Sequence, residues 1–460
     1  MDIVVLNGSP KGELSITLQY VRYLEKKFPQ HDFIVLHIAR DLPKIEDDPK
    51  RFAAIIDRIT TADVVLWSFP LYYLLVHAHY KRFIELIWER QASEAFMGKY
   101  ALAIATSIHF YDHTALQYIR AVCDDLQMRF IDAFSADMQD LLDAGQRKQL
   151  LLFADNALQS IERREPTFCL PQIAPFDPPT YRPETTPQTL DGDIPKILII
   201  TDFTDPNGNQ AKMVSRLQTD FGGKADIVNL QELNISTSCL GCIQCGYNNC
   251  CPLEDRDDFI PFYRNHVMTA DILIYAATIR DRYLSARWKT FFDRSFFMGH
   301  IPEIKEKQIG FVIAGPLTSN PHLRQIIEAY FEVMEANLTA IVSDECDTSA
   351  TLDGQLDLLA RRLVTFSRQN YRKPRTFLGI AGQKLLRDAI WGRLRFPFIA
   401  DHRYFKTHGG YDFPQYDWRS RLKNGLMILL MKIPRIREEV YRRRIKGEMV
   451  TALRKVVEEA

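Results

Sequence analysis

Apolar residues fall into two successive rounds of short, continuous runs separated by amphipathic stretches. The first round is IVVL (Ile3 to Leu6), FIVLHI, DVVLWS, ALAIAT and RFIDAF; the turn NGSPKGELS follows the first run, and a helical period occupies Ser15 to about Lys27. Apolar runs alternating with helical stretches predict a parallel sheet covered by helices on both faces. Residues 164–195 hold eight of the chain's 23 prolines and no usable period, so they read as a linker. The programme then restarts with KILIITD, a turn at DPNGNQ, ADIVNL, a cysteine-rich loop, DILIYA, QIGFVIAG and LTAIVS.

The two rounds can be set in register. ADVVLWSFPLYYLLVHAHYKRFIEL, from Ala62, lies over ADILIYAATIRDRYLSARWKTFFDR, from Ala270, which places Lys81 on Lys289, Phe83 on Phe291 and Glu85 on Asp293. Agreement across a strand, a loop and the next helix predicts a tandem duplication. The expected fold class is α/β, with two doubly wound parallel-sheet domains at 1–163 and 196–370, the linker 164–195, and a mainly helical extension at 371–460.

Charge sets the extension apart. The chain is neutral overall, yet residues 371–460 carry 21 Lys and Arg against 9 Asp and Glu. The run Leu426 to Met431, flanked by Arg421, Lys423, Lys432 and Arg435, is too short to span a bilayer; a helix packed on the domains or on a partner is the first expectation, and peripheral contact with anionic lipid the second. No recognised reading motif accompanies the charge, so no nucleic-acid partner is expected. The opening MDIVVLNGSP has neither a basic n-region nor a cleavage site, which points to the cytoplasm, where crowded cysteines suggest metal or redox chemistry rather than disulfides. The scattered Cys123, Cys169 and Cys346 read as packed or idle thiols.

In doubly wound folds, ligands sit beyond the carboxyl ends of the strands, with phosphate at a loop and helix N-terminus. The loop Asn7 to Thr17 suits phosphate: Gly8 and Gly12 let the backbone approach, Ser9, Ser15 and Thr17 offer hydroxyls, and Lys11 offers charge. Pro70-Leu71-Tyr72-Tyr73 follows the third run and precedes the helix bearing Lys81. With these two loops the chain resembles the flavodoxin-like NADPH-dependent FMN reductase and iron–sulfur flavoprotein family, whose pattern is a GSP loop, then P-x-Y, then a Lys-x-Phe helix. The resemblance implies flavodoxin-like domains, with Ser9, Pro10, Lys11, Ser15 and Thr17 on the FMN phosphate, Pro70, Leu71, Tyr72 and Tyr73 beside the ring, and Thr106, Ser107 and His109 on the rim. Ile16 departs from the family, which usually has Asn there. The second half departs further: its loop Thr201 to Gln210 carries Asp202 and Asp205 where phosphate would sit, and Thr278 and Arg280 replace Pro70 and Tyr72. Arg280, Arg282 and Arg287 are expected at a contact between the halves or on an anionic substrate.

Cys239-x2-Cys242-x2-Cys245 and Cys251-Pro252 resemble cluster-binding runs, and the acidic DRDDF behind them is similar to iron–sulfur flavoproteins. The resemblance implies a [4Fe-4S] cluster on Cys239, Cys242, Cys245 and Cys251. Cys250 in place of Cys251, a zinc site and a loop without metal stand as alternatives. In that family the cluster of one subunit lies near the flavin of another, so the expectation is an intramolecular pseudo-dimer in which FMN exchanges electrons with the cluster, fed by NADPH, NADH or a protein donor and discharging to a redox partner protein or a small-molecule acceptor. A simple quinone or FMN reductase with a vestigial cysteine loop, and a non-catalytic electron carrier docked to a membrane or larger complex, are the competing functions.

Overall fold

The computed structural model describes residues 1–168, 179–190, 192–412, 418–444, 453–454 and 456–458; Cys169 and part of the Pro-rich linker lie outside them. The first sheet contains β1 (Asp2–Asn7), β2 (Asp32–Leu36), β3 (Val64–Pro70), β4 (Tyr100–Ser107) and β5 (Arg129–Asp137), ordered β2-β1-β3-β4-β5 with every pairing parallel. Between the strands run α1 (Ile16–Lys27), α2 (Ile38–Asp47), α3 (Pro49–Thr61), α4 (Ala78–Glu89) and α5 (Asp112–Asp125), and α6 (Ala144–Glu162) follows β5. β3 and β4 are apolar along nearly their whole length because helices cover both faces.

The second sheet repeats the plan with β6 (Ile197–Thr201), β7 (Asp226–Asn229), β8 (Ile272–Arg280), β10 (Gln308–Ala314) and β11 (Asn337–Ser343) in the order β7-β6-β8-β10-β11, all parallel; the two-residue β9 (Tyr283–Leu284) turns back antiparallel on β8. Its helices are α7 (Asn209–Asp220), the short α8 (Phe259–Phe262), α9 (Ala286–Arg294), α10 (Pro321–Val333) and α11 (Ser349–Gln369). Both sheets have the 2-1-3-4-5 order of flavodoxin-like folds. The core between α1, α6 and the first sheet belongs to one domain, and that between α7, α11 and the second sheet to the other. The largest core is shared by both: Phe83 and Ile84 of α4 belong to the same buried cluster as Trp288 and Phe291 of α9.

The shared layer is reciprocal. Ala78 N donates to Asp293 Oδ2 (2.8 Å), and its counterpart Ala286 N donates to Glu85 Oε1 (2.6 Å). Lys81 Nζ bonds Arg280 O (3.3 Å), Asp281 Oδ1 (2.6 Å) and Glu85 Oε1 (3.0 Å), while Lys289 Nζ bonds Tyr72 O (3.0 Å) and Asp293. Both lysines are fully buried, and each is neutralised by a carboxylate one helical turn along.

A single compact unit runs from Met1 to Tyr404, because α12 (Phe377–Trp391) is fixed at its start to Glu332, which accepts from Thr376 N and Gly379 N (2.8 Å each). The second unit, Phe405 to Ala460, contains the end of α13 (Ile399–Thr407), α14 (Trp418–Leu430) and α15 (Pro434–Glu439). Among the described residues no helix is long and apolar enough to cross a membrane.

Candidate functional site

β1 hands the chain to α1 through a turn organised by the fully buried Asn7, whose Nδ2 donates to Gly12 O (3.2 Å) and whose Oδ1 accepts from Ser9 N (3.1 Å). Gly8 is required by close approach: a Cβ there would come within 2.8 Å of the Tyr80 ring. Ser15 caps α1 by accepting from Leu18 N (3.3 Å), and Thr17 Oγ1 lies 2.5 Å from Thr106 Oγ1, which ties the head of α1 to the end of β4. Ser9, Ser15, Thr17, Thr106 and Ser107 are buried, whereas Pro10 is half-buried and Lys11 exposed. The helix start, the hydroxyls and the cation therefore meet at one place, where N–H groups without intrahelical partners gather. Ile16 is exposed and adds no polar atom. Ser107 Oγ accepts from His109 N (2.8 Å), and His109 Nδ1 pairs with Asp112 (2.8 Å).

The loop after β3 is anchored by Leu71 N on Thr106 O (3.1 Å) and closed by Tyr72 and Leu75. Tyr73 (φ +38°) and Leu74 (φ +59°) are left-handed, and so are their register counterparts Asp281 (+40°) and Arg282 (+72°), so the same costly turn is built twice. Tyr73 sets its ring edge-on to Phe296 (5.5 Å) and Tyr330 (5.4 Å) of the second domain. Tyr72 stands edge-on to His77 (4.8 Å), and burial followed by the neighbouring Cys239 thiol and the Asp293 carboxylate pushes its phenol well above the usual range.

Cys239, Cys242, Cys245 and Cys251 line a single small cavity, walled by Leu240, Ile243, Leu253, Phe296 and Phe297 and closed by Arg294. Cys250 is exposed and its thiol contacts Asn248 O (3.7 Å), outside that lining. Among the described residues no three His, Cys, Asp or Glu are placed to hold a single ion, which favours neither the cluster nor the zinc alternative. Burial, then neighbouring carboxylate and thiol charge, raises the Cys239 thiol to about 12 despite a hydrogen bond from Gly241 N (3.4 Å), and it raises Cys245 and Cys251 as well. Arg294 is held by Asp257 (2.7 and 2.9 Å) from the acidic stretch behind the cysteines.

This loop touches the first domain at Gly241. A Cβ there would overlap the Tyr72 hydroxyl and lie 3.2 Å from Lys11 Cε, and His77 Nε2 donates to Cys239 O (2.8 Å). His77 and His300 were not singled out by the sequence, because neither stands in a motif. His300 Nε2 lies 3.3 Å from Cys245 Sγ and its Nδ1 donates to Asp401 (2.7 Å), so α13 supports the cysteine loop from behind. Of the three arginines, Arg282 reaches Asp125 of the first domain (2.5 and 2.7 Å), Arg287 stays on Leu230 O in its own domain (2.6 and 2.8 Å), and Arg280 borders a cleft.

Residues 1–139 match the family model described as NADPH-dependent FMN reductase. The match ends well before Cys239. Among curated proteins no sequence matches the chain. Solved structures similar to it include the flavoenzyme NAD(P)H:(acceptor) oxidoreductase FerB from Paracoccus denitrificans (23% identity, 35% of this chain and 97% of that one, TM-score 0.30). Others are an FMN-dependent NADH-azoreductase from Bacillus anthracis in complex with FMN (12%, 35% and 98%, 0.28) and an NAD(P)H:quinone oxidoreductase from Methanothermobacter marburgensis (14%, 35% and 97%, 0.28).

Proposed function

We propose that the chain is an NAD(P)H-dependent FMN oxidoreductase in which the first domain holds the flavin, the four cavity-lining cysteines hold a [4Fe-4S] cluster, and the two domains act as an intramolecular pseudo-dimer. The observation that carries this reading is the seat of Gly241, in the cysteine loop of one domain, against Tyr72 and Lys11 in the flavin loops of the other. The family match over residues 1–139 supports the flavin assignment.

The residues fit both groups. Ser9, Ser15, Thr17 and Lys11 meet at the head of α1, which suits a phosphate dianion. Cys239, Cys242, Cys245 and Cys251 line one cavity, so four thiolates are available on one loop for such a cluster, and Gly241 N–H on Cys239 Sγ adds a stabilising donor. When bound, FMN converts two-electron hydride chemistry into single-electron steps that a cluster can carry. The chain's own part is to hold and orient. Tyr72 covers the junction between the loops, Lys289 fixes the Tyr72 carbonyl, and the buried Leu253 and Phe297 pack on the inner side of the thiols, while Cys242 faces solvent.

The donor in this reading is reduced nicotinamide, and the acceptor is a small molecule or a redox partner protein in the cytoplasm. The test is iron, acid-labile sulfide, zinc and flavin per chain on protein purified without oxygen, together with NADPH and NADH turnover. About four iron, four sulfide and one FMN are expected. Flavin with turnover but no iron would replace the reading with a simple reductase carrying a vestigial cysteine loop; both cofactors without turnover would replace it with an electron carrier.

A further inference from the structure

Beyond the carboxyl ends of β6, β8 and β10 lies a second cleft, of about 480 Å³, which the proposed function does not use. It occupies the place in the second domain that the flavin loops occupy in the first, since Thr278 and Arg280 stand in register with Pro70 and Tyr72. That volume falls in the range of small-molecule sites.

Its chemistry is inverted. Asp202, Asp205 and Asp344 line it against the one guanidinium of Arg280. The walls are set by internal hydrogen bonds: Asp202 accepts from Ser285 Oγ (2.5 Å) and Gln210 Nε2 (2.8 Å), Thr278 Oγ1 donates to Gln210 Oε1 (2.8 Å), and Asp344 accepts from Gly315 N (2.8 Å) and Asn209 Nδ2 (2.9 Å). Gly315, at φ +117°, is confined to a conformation that other residues rarely adopt, and its turn passes so close to Ile279 that a Cβ would meet Ile279 Cβ at 3.0 Å. Phe203, Ile279 and Pro316 supply apolar surface for a ring. Asp202 and Asp344 are buried, so the carboxylate open to a ligand is that of the exposed Asp205: a phosphate dianion would face its like charge here, whereas a hydroxyl or amino group would find it an acceptor.

We propose that this cleft is a binding site for a nucleoside-type ligand: an uncharged or cationic aromatic ring bearing hydroxyl groups and no phosphate. The assignment rests on the cleft and its charge, and it stands whether or not the cysteines hold a cluster.

The experiment uses matched probes differing only by phosphate, riboflavin against FMN and adenosine against AMP, titrated calorimetrically into full-length protein already saturated with FMN and desalted. At least one phosphate-free member is expected to bind one site per chain at least tenfold more tightly than its phosphorylated partner. Thr204→Trp, which places bulk in the cleft from an exposed position, abolishes that binding. Asp205→Asn, which keeps an oxygen for the Asn207 N–H, narrows the discrimination severalfold. Tighter or equal binding of the phosphorylated partners, no binding of any probe at millimolar concentration, or undiminished binding to Thr204→Trp would each overturn the proposal. Ser9→Asp, which disturbs only the first domain's loop, leaves the cleft titration unchanged, so loss of flavin there is told apart from failure here.

Discussion

Substituting Asp293 by Asn tests how the two domains are held together. Lys289 and Asp293 are both fully buried. Burial is the leading influence on each, lowering the lysine's pKa and raising the carboxyl's, and their mutual attraction opposes it. The amide keeps an acceptor for Ala78 N, so the variant removes charge without orphaning that donor, but it leaves Lys289 with only the Tyr72 carbonyl. Breaking a buried pair by removing one partner costs about 3–5 kcal/mol, and we expect Asp293→Asn to lose that much in urea unfolding followed by far-ultraviolet circular dichroism. Adding Lys289→Met removes the stranded charge and recovers most of the loss. The mirror substitution Glu85→Gln costs less, because Lys81 retains Asp281 at 2.6 Å. Burial pushes the Glu85 carboxyl up, but Lys81, Ala286 N and Arg82 outweigh it and hold the pKa below its ordinary value. If Glu85→Gln proves the more damaging, or the double variant is no more stable than Asp293→Asn, the reasoning is wrong.

Other outcomes follow from the same geometry. Gly241→Ala places a Cβ on the Tyr72 hydroxyl from a φ of +63°, so it lowers stability by about 1–2 kcal/mol from the backbone alone and weakens flavin retention in the other domain, read by fluorescence of the released flavin. If the cysteines hold the proposed cluster, Cys251→Ser removes iron and sulfide while Cys250→Ser leaves both, because of the two only Cys251 lines the cavity; equal losses in the two variants would count against the ligand set. His322, buried with Nε2 on Arg282 O (2.7 Å), has its pKa lowered from 6.5 to about 4 by burial and then by the Arg282 charge, against the help of that hydrogen bond. The unfolded chain binds the proton first, so the stability His322 contributes is full above pH 6.5 and declines by about 3 kcal/mol as pH falls to about 4. His322→Gln flattens that part of the acid limb in thermal melts from pH 4 to 7.

Much of this architecture can be read from the sequence because it depends on local period. Apolar runs such as VVLWSFP and QIGFVIA cannot be solvated, so they become central strands, and the intervening amphipathic stretches cover them. The register between Ala62 and Ala270 also anticipated paired positions, and Lys81 with Glu85 and Lys289 with Asp293 do form equivalent buried pairs. The basic extension was less legible. Net charge marked residues 371–460 as one object, whereas Glu332 and His300 bind its first part into the main unit through partners distant in sequence.

What the sequence determined by itself is the order of elements, the turn at Gly8 and Gly12, and the grouping of thiols on one loop, since each follows from spacing within a few residues. What the tertiary structure decided is where those pieces face. Tyr73 turns into the second domain, Cys250 stays out of the cavity, His77 and His300 reach the cysteine loop, and an acidic cleft remains at the second set of strand tips. The contacts between the two domains among these depend on the packing of α4 against α9, which brings together residues about two hundred positions apart, and chain separation of that size leaves no periodic trace in the sequence.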